Sequence, residues 1–503
     1  MNKGSFILTI DVGTTNLKCI LFNESGDQVI KRSLPNTTRY PQPFLAEQEP
    51  RQWLHNLAAI LKEMSQICSQ EFRSIEAIAL TGQMHGPVLL EDQKGEVAYP
   101  CIIWSDTRAA EEVEILQKEF SAEFFFQHMG NPLQQSLTLP KIFWLKRHKP
   151  EVLNRTAKVV FPKDYIGCIL GGEITTDYSD ASGSLFYNLY SRCWEKELWE
   201  ALGLSPAMLP EVISGDTVIG FVSEEAARIF SLPSGIPIVK GGGDLATTAL
   251  ATGAGQEGNV SLCIGTAGQL LFCMDKIEEE VMGKLYLFLQ CLGDNYFCLG
   301  TVPAGGVSLD WFFSLFGIQD LNKLWERVEK IERISLRRAI LFYPFLLGTG
   351  TPHFNYHASA GFLGLQMNHK VEDVLIAILE GITFALQDSL RKTPAIDEKV
   401  KKVILSGGLV RLPVLPQIVS NVFNRPVFLS RYLDTASVGA FFLAMRAMGR
   451  DYGDILEGGY GMACLPEDVY VQYYRRVYDL YQSFLDVILS FALQTSAYFK
   501  EET

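Results

Sequence analysis

The sequence predicts an α/β protein in which two duplicated lobes flank a central cleft, and three stretches carry that prediction. Near the start, the β-prone run Phe6-Ile7-Leu8-Thr9-Ile10 ends at Asp11-Val12-Gly13-Thr14-Thr15-Asn16, and residues 17–22 read as a returning strand. Gly13-Thr14-Thr15 is then the tip of a hairpin. Half a chain later, the apolar run 259–264 ends in Gly265-Thr266-Ala267-Gly268, and residues 269–273 return. One pattern echoed at so long an offset suggests a duplicated fold. Between the two, Ile236-Pro237-Ile238-Val239 feeds Lys240-Gly241-Gly242-Gly243-Asp244 and an Ala/Thr-rich helix. We expect an N-terminal domain over residues 1–243 and a C-terminal domain over 244–503.

Composition narrows the class of partner. With 503 residues, 48% of them apolar, the chain can bury sizeable cores. Its net charge of −13 and lack of a long basic run argue against nucleic acid and anionic membranes as partners. Mg2+ and local backbone N–H groups can outweigh that distant field, so ATP is not excluded. None of the 10 cysteines forms a C-x-x-C, which points to buried thiols in a reducing compartment rather than a zinc or redox site. The first strand follows the N-terminus without a signal-peptide layout, and no run reaches the ~20 apolar residues of a membrane span. A cytoplasmic protein is expected.

Taken in order, each motif has a chemical reading and a plainer one beside it. N–H groups and hydroxyls of Gly13, Thr14 and Thr15 can hold phosphate oxygens, with Asp11 orienting a magnesium ion and Lys18 grouped with the same phosphates; an ordinary Gly-Thr turn is the alternative. Residues 49–71 have the apolar spacing of an amphipathic core helix. The strand 74–80 ends in Thr81-Gly82-Gln83-Met84-His85-Gly86. An amide, an imidazole and two glycines suit a loop that grips hydroxyl groups, although a lone loop histidine is often structural. Residues 88–90 are expected to pair back, and Trp104-Ser105-Asp106-Thr107-Arg108 to open a helix.

Residues 140–150 read as a packed helix whose basic face, with Lys141 and Arg147, is solvated. Asp244 stands where substrates bind in an α/β sheet, at a strand's C-terminal end, yet Asp is also a good plain N-cap. Gly253-Ala254-Gly255-Gln256-Glu257-Gly258 matches G-x-G-x-x-G, but it follows a helix and precedes a strand, so it is a turn and not a dinucleotide site. Gly305-Gly306 precedes a helix, and Ser406-Gly407-Gly408 ends a buried-type strand where a flat ring could lie against bare backbone. Residues 469–498 form a Tyr-rich helix suited to packing and dimer contact.

Together these pieces resemble the FGGY carbohydrate kinases, two-domain enzymes of the actin-like ATPase (ribonuclease H-like) fold. Two long signatures carry the resemblance. The first is Ser136-x-Thr138-x-x-Lys141-Ile142-x-Trp144-Leu145-x-Arg147-His148. The second is Ala360-x-Phe362-x-Gly364-Leu365 with Asp373-Val374 and Ala377-Ile378-Leu379-Glu380. Gln83-Met84-His85 and Trp104-x-Asp106-x-Arg108 look most like the xylulokinases within that family. Two departures stand out: Leu245 follows the acid where xylulokinases usually have Asn, and residues 348–353 lack the two charges of the usual loop.

The resemblance implies transfer of the ATP γ-phosphate to a sugar or polyol hydroxyl, with Asp244 as general base. It implies Gln83, Met84, His85, Trp104, Asp106 and Asp244 on the sugar, and Asp11 and Asp244 on Mg2+. Asp11, Gly13, Thr14, Thr15, Lys18, Gly265, Thr266, Gly305, Gly306, Gly407 and Gly408 are implied on the nucleotide. A small sugar, ATP and a possible homodimer partner are the expected associations. A non-catalytic nucleotide-gated sugar-binding protein and a nicotinamide oxidoreductase are the competing readings. The first would not need the Gly-Gly-Gly-Asp run, and the second has only the misplaced glycine motif.

Overall fold

The computed structural model describes residues 4–42, 45–92, 94–318 and 340–500. It is a mixed α/β fold with two main sheets, and it divides into two compact units. Unit 1 comprises residues 1–251, 287–297 and 434–457; unit 2 comprises 252–286, 298–433 and 458–503.

The sheet of unit 1 has six strands, β1 (Phe6–Val12), β2 (Asn16–Asn23), β3 (Gln28–Pro35), β4 (Ile75–Gly82), β5 (Val218–Phe221) and β6 (Pro237–Gly243), in the order β5-β6-β4-β1-β2-β3. β1 pairs antiparallel with β2 and parallel with β4, and β6 lies parallel to β4. Strands β1 and β4 are apolar along nearly their whole length and buried throughout their C-terminal halves. Strands covered on both faces read that way. The helix Pro50–Ile67 closes one side, with Trp53, Leu57, Ile60, Leu61 and Met64 inward. In unit 2, β7 (Asn259–Ile264) pairs antiparallel with β8 (Gly268–Met274) and parallel with β9 (Lys402–Ser406). β9 continues parallel to β10 (Val427–Ser430), and β10 is antiparallel to β11 (Tyr460–Cys464). Each sheet therefore runs hairpin, parallel strand, parallel strand, antiparallel edge: one topology, used twice.

Two sequence expectations change. Val88–Leu90 pairs antiparallel with Lys158–Val160, not back onto the strand before it. The basic face expected on Thr138–His148 is not uniformly solvated, because Lys141 is fully buried. The two compact units interleave along the chain: Asp244–Ala251 lies in unit 1, and residues 434–457 return to it. The helix Thr435–Ala447 returns because its small residues let it lie close on Asp244–Ala251, where Thr248 and Thr435 share a hydroxyl contact of 3.2 Å. A Cβ on Gly439 would sit 1.9 Å from the Thr247 carbonyl oxygen. Gly439→Ala is accordingly expected to lose ~1–3 kcal/mol through overpacking; calorimetry showing an unchanged melting profile would refute that contact.

Candidate active site

The first hairpin turns a strand pair into a charged site. Asp11 and Lys18 are direct cross-strand partners, and Lys18 Nζ lies 2.7 Å from Asp11 Oδ2. Opposed residues on one face of an antiparallel pair are close enough to interact in this way. Lys18 is held also by Asp434 at 3.4 Å, and Lys31 reaches the same Asp434 at 2.6 Å. Lys18 was grouped with the phosphates; in the structure two carboxylates hold it, and they raise its pKa against the cost of burial. Asp11 Oδ1 is buried and has no hydrogen-bond partner among the described residues.

The tip at Gly13–Thr15 is fastened from below. Asn36 donates to the Gly13 carbonyl at 2.7 Å, and Gln48 donates to the Thr14 carbonyl at 2.7 Å. The Thr14 hydroxyl accepts from Trp104 Nε1 at 2.9 Å and donates to Gln83 Oε1 at 3.3 Å. Gln83 is buried, and its amide nitrogen donates to Gln48. The Gly13–Thr15 tip and the Gln83-Met84-His85 loop thus share one hydrogen-bonded network, in which Gln83 is already committed. Thr15 stays exposed at the apex.

Asp244 opens its helix directly after β6. Burial first, and then the charge of Asp11, pushes its carboxyl up to about 7, against backbone N–H groups at the helix start that favour the charged form. Buried carboxylates tuned toward neutrality are candidates for proton transfer. The glycines before it have distinct causes. Gly241 has φ +72°, and a Cβ there would lie 1.6 Å from the Leu80 carbonyl oxygen. A Cβ on Gly243 would meet Met84 Cγ at 2.5 Å and Sδ at 2.7 Å. Met84 therefore lies on the backbone next to Asp244, which brings the Gln-Met-His loop and the acid together.

The first signature helix braces that loop. Lys141 Nζ donates to the carbonyls of His85 at 3.0 Å and Ser136 at 2.7 Å, and Thr138 Oγ1 donates to the His85 carbonyl at 3.2 Å. The Arg108 guanidinium lies 4.8 Å over the Trp144 ring and reaches Glu47 at 2.8 Å. It closes on Asp106 through Nε at 2.8 Å and a terminal nitrogen at 2.7 Å. Asp106 also accepts from the backbone of Ala46 and Arg108 and is almost wholly buried. The expectation of a sugar contact at Asp106 is therefore corrected: its lone pairs are taken, and it fixes the loop that carries Trp104, which is itself exposed.

Unit 2 holds the other six nucleotide candidates. Gly306 N donates to the Gly265 carbonyl at 2.7 Å and Val307 N to that of Thr266 at 3.2 Å. A Cβ on Gly305 or Gly306 would press on the tip backbone at 2.6 or 2.5 Å. These two glycines buttress the second tip, while Thr266 is exposed. Gly407 has φ +94° and passes the Ile264 carbonyl, whereas Gly265 and Gly408 face open space where a side chain would stand. Sequence reasoning missed Gln48, Asp434 and the brace from Lys141. Nothing in the sequence marks the first two, and Lys141 was visible only as part of a signature.

Profile comparison decides the family. The profile of the FGGY family of carbohydrate kinases, N-terminal domain, matches residues 6–251, and that of the C-terminal domain matches residues 262–448.

The chain belongs to the FGGY family of carbohydrate kinases.

This FGGY kinase is 32% identical to the xylulose kinase of Lactococcus lactis subsp. lactis, over 90% of the chain and 89% of that protein. It is 28% identical to the gluconokinase of Bacillus subtilis, over 89% and 88%. The crystal structure of xylulose kinase from Rhodospirillum rubrum superposes with a TM-score of 0.88 at 28% identity, over 97% of this chain and 99% of that one. The fold is accordingly the two-domain actin-like ATPase fold, and ATP is the family's phosphoryl donor. Among the described residues, no helix is long and apolar enough to cross a membrane.

Proposed function

We propose that this FGGY kinase converts D-xylulose and ATP to D-xylulose 5-phosphate and ADP in the cytoplasm. The observation that carries the reading is the seat of Met84 on Gly243, which sets the Gln83-Met84-His85 loop beside Asp244. Asp244 accepts the proton of the sugar's primary hydroxyl as its oxygen attacks the γ-phosphorus. Little covalent work is left to the protein in phosphoryl transfer, so positioning and charge neutralisation dominate. The Gly13-Thr14-Thr15 tip holds phosphate oxygens. In unit 2 the tip Gly265-Thr266 and the open backbone at Gly408 are nucleotide contacts, with Gly305, Gly306 and Gly407 keeping that backbone in place.

The orphaned, buried Oδ1 of Asp11 fits a Mg2+ shell, since a buried carboxylate oxygen left unpaired is costly. Asp11 and Asp244 are the residues that would hold the ion, which when bound supplies neutralising charge to the phosphates. Met84, His85 and Trp104 line the sugar, and Gln83 ties its loop to the phosphate tip.

A second reading is favoured by the gluconokinase relative and by Leu245, which offers no amide to a sugar hydroxyl. In that case another ketose, a polyol or an aldonate is the acceptor. An ATP-coupled assay over D-xylulose, L-xylulose, D-ribulose, sedoheptulose, gluconate and glycerol decides between them. D-xylulose is expected to give the highest kcat/KM. Strong preference for a non-ketose would overturn the assignment and leave the kinase standing.

A further inference from the structure

His85 is a non-glycine residue in the left-handed region, with φ 69°, a conformation that surrounding structure must over-determine. Four contacts do so. Lys141 Nζ and Thr138 Oγ1 both donate to its carbonyl, Nδ1 lies 2.9 Å from the Gly183 carbonyl oxygen, and the ring packs against Phe288 with centroids 5.6 Å apart. Gly183 must be glycine for this, since a Cβ there would stand 2.9 Å from Nδ1 and Cε1. A carbonyl oxygen only accepts, so Nδ1 carries a proton. Nε2 has no partner among the described residues.

Whether Nε2 also carries a proton is settled by what surrounds the ring. The ring is only partly exposed and Lys141 is fully buried one hydrogen bond away; charging the ring there is unfavourable first because it loses water and second because of Lys141 whenever that amine is protonated. Burial first and Lys141 second push the imidazole down to about 3. Lys141 is the titratable group that faces His85. Phe288, Gly183, Thr138 and Met84, from the other packed segments, bring no charge, while Lys141 is itself pushed down to about 7 by burial first, with Cys101 and Asp106 opposing that shift and Arg108 adding to it.

We propose that Lys141 and the Gly183 carbonyl lock His85 as a neutral ring with its proton on Nδ1, so that Nε2 accepts a hydrogen bond from the substrate, and that Lys141 is thereby a specificity-positioning residue. A hydroxyl can satisfy that acceptor and a carboxylate cannot, because both partners would present lone pairs. The site then selects against an acceptor that presents a carboxylate, rather than one of its hydroxyls, to Nε2, as an aldonate bound carboxylate-inward would. The selectivity half rests on the kinase reading above, whereas the ring state does not.

The test is a long-range ¹H–¹⁵N spectrum of the full chain labelled at histidine, with His85 assigned by loss of its signals in His85→Gln. The wild-type ring is expected to show the neutral Nδ1–H tautomer throughout pH 6–8. The Nε2–H tautomer, or a ring that titrates in that range, would overturn the proposal without any need for a variant. In Lys141→Met, burial still holds the imidazole down, and the His85 ring signals are expected to shift because its carbonyl loses the Lys141 brace. The kcat/KM ratio of D-xylulose to gluconate is expected to fall at least ~10-fold, mostly through KM. A folded Lys141→Met with unchanged His85 signals would also overturn it. The expected ring signature in an enzyme that turns over no D-xylulose would defeat the substrate assignment and uphold this one.

Discussion

Asp244→Asn is expected to lower kcat by roughly 10²–10⁴-fold, the usual range for a positioned general base, while making the folded protein more stable at pH 8. The two effects have one cause. Burial and Asp11 raise the Asp244 pKa from its ordinary 3.8 to about 7, so the folded state resists deprotonation more than the unfolded chain does. For an acid shifted upward, the cost is absent below the unfolded value and grows as pH rises, reaching its full size above the folded one. That rise corresponds to at most ~4 kcal/mol. Partial exposure of Asp244 reduces that to roughly 1–3 kcal/mol. Asn removes the charge and the cost together, and a neutral amide is no base. In the wild type, kcat/KM is expected to fall as pH drops through about 7, because only the deprotonated carboxylate accepts the hydroxyl proton. Unchanged turnover in Asp244→Asn would remove the residue from this role. A lower melting temperature for the variant at pH 8 would contradict the electrostatic account.

The second large effect is expected at Lys163. Its Nζ lies 2.6 Å from Asp164, 2.7 Å from Asp177 and 3.0 Å from Asp180, and Lys240 Nζ lies 2.7 Å from Asp164, all five side chains being almost fully buried. Two cations face three acids, and burial beside two other carboxylates drives Asp180 well above the usual range. Lys163→Met would leave the acids with Lys240 alone. Removing one partner of a buried charge pair typically costs ~3–5 kcal/mol, and that loss is expected in denaturant unfolding. Asp180→Asn should cost far less, since the native group is already held toward its neutral form.

The cluster also reaches the active site. Asp177 accepts from the backbone and the hydroxyl of Ser179, and Ser179 Oγ accepts from Gly243 N at 2.9 Å, the residue before Asp244. A drop in kcat is therefore expected in any Lys163→Met protein that still folds. Equal stability losses for the two variants would refute the charge count.

Some of this was legible from local pattern alone. The two hairpin tips, the glycine run and the rejection of the G-x-G-x-x-G at 253–258 depend on neighbours in sequence, and each held its place: that turn does lie between the helix Asp244–Ala251 and β7. The signatures likewise sufficed for the family. Partners far apart in the chain were not legible. Asp106 looks like a free loop acid until Ala46 donates to it and Arg108, itself held by Glu47, closes on it.

What the sequence by itself determined is the repeated strand–tip–strand frame, the acid after its glycines and the family, because turn chemistry and strand pattern are set within a few residues. Only the tertiary structure decided that Lys141 is buried under His85, that Lys18 is bound to Asp11 and Asp434, and that five ionisable side chains sit together behind Gly243. Those facts turn on burial and on charges meeting across tens to hundreds of residues, and a side chain's solvation and partners are properties of the packed fold.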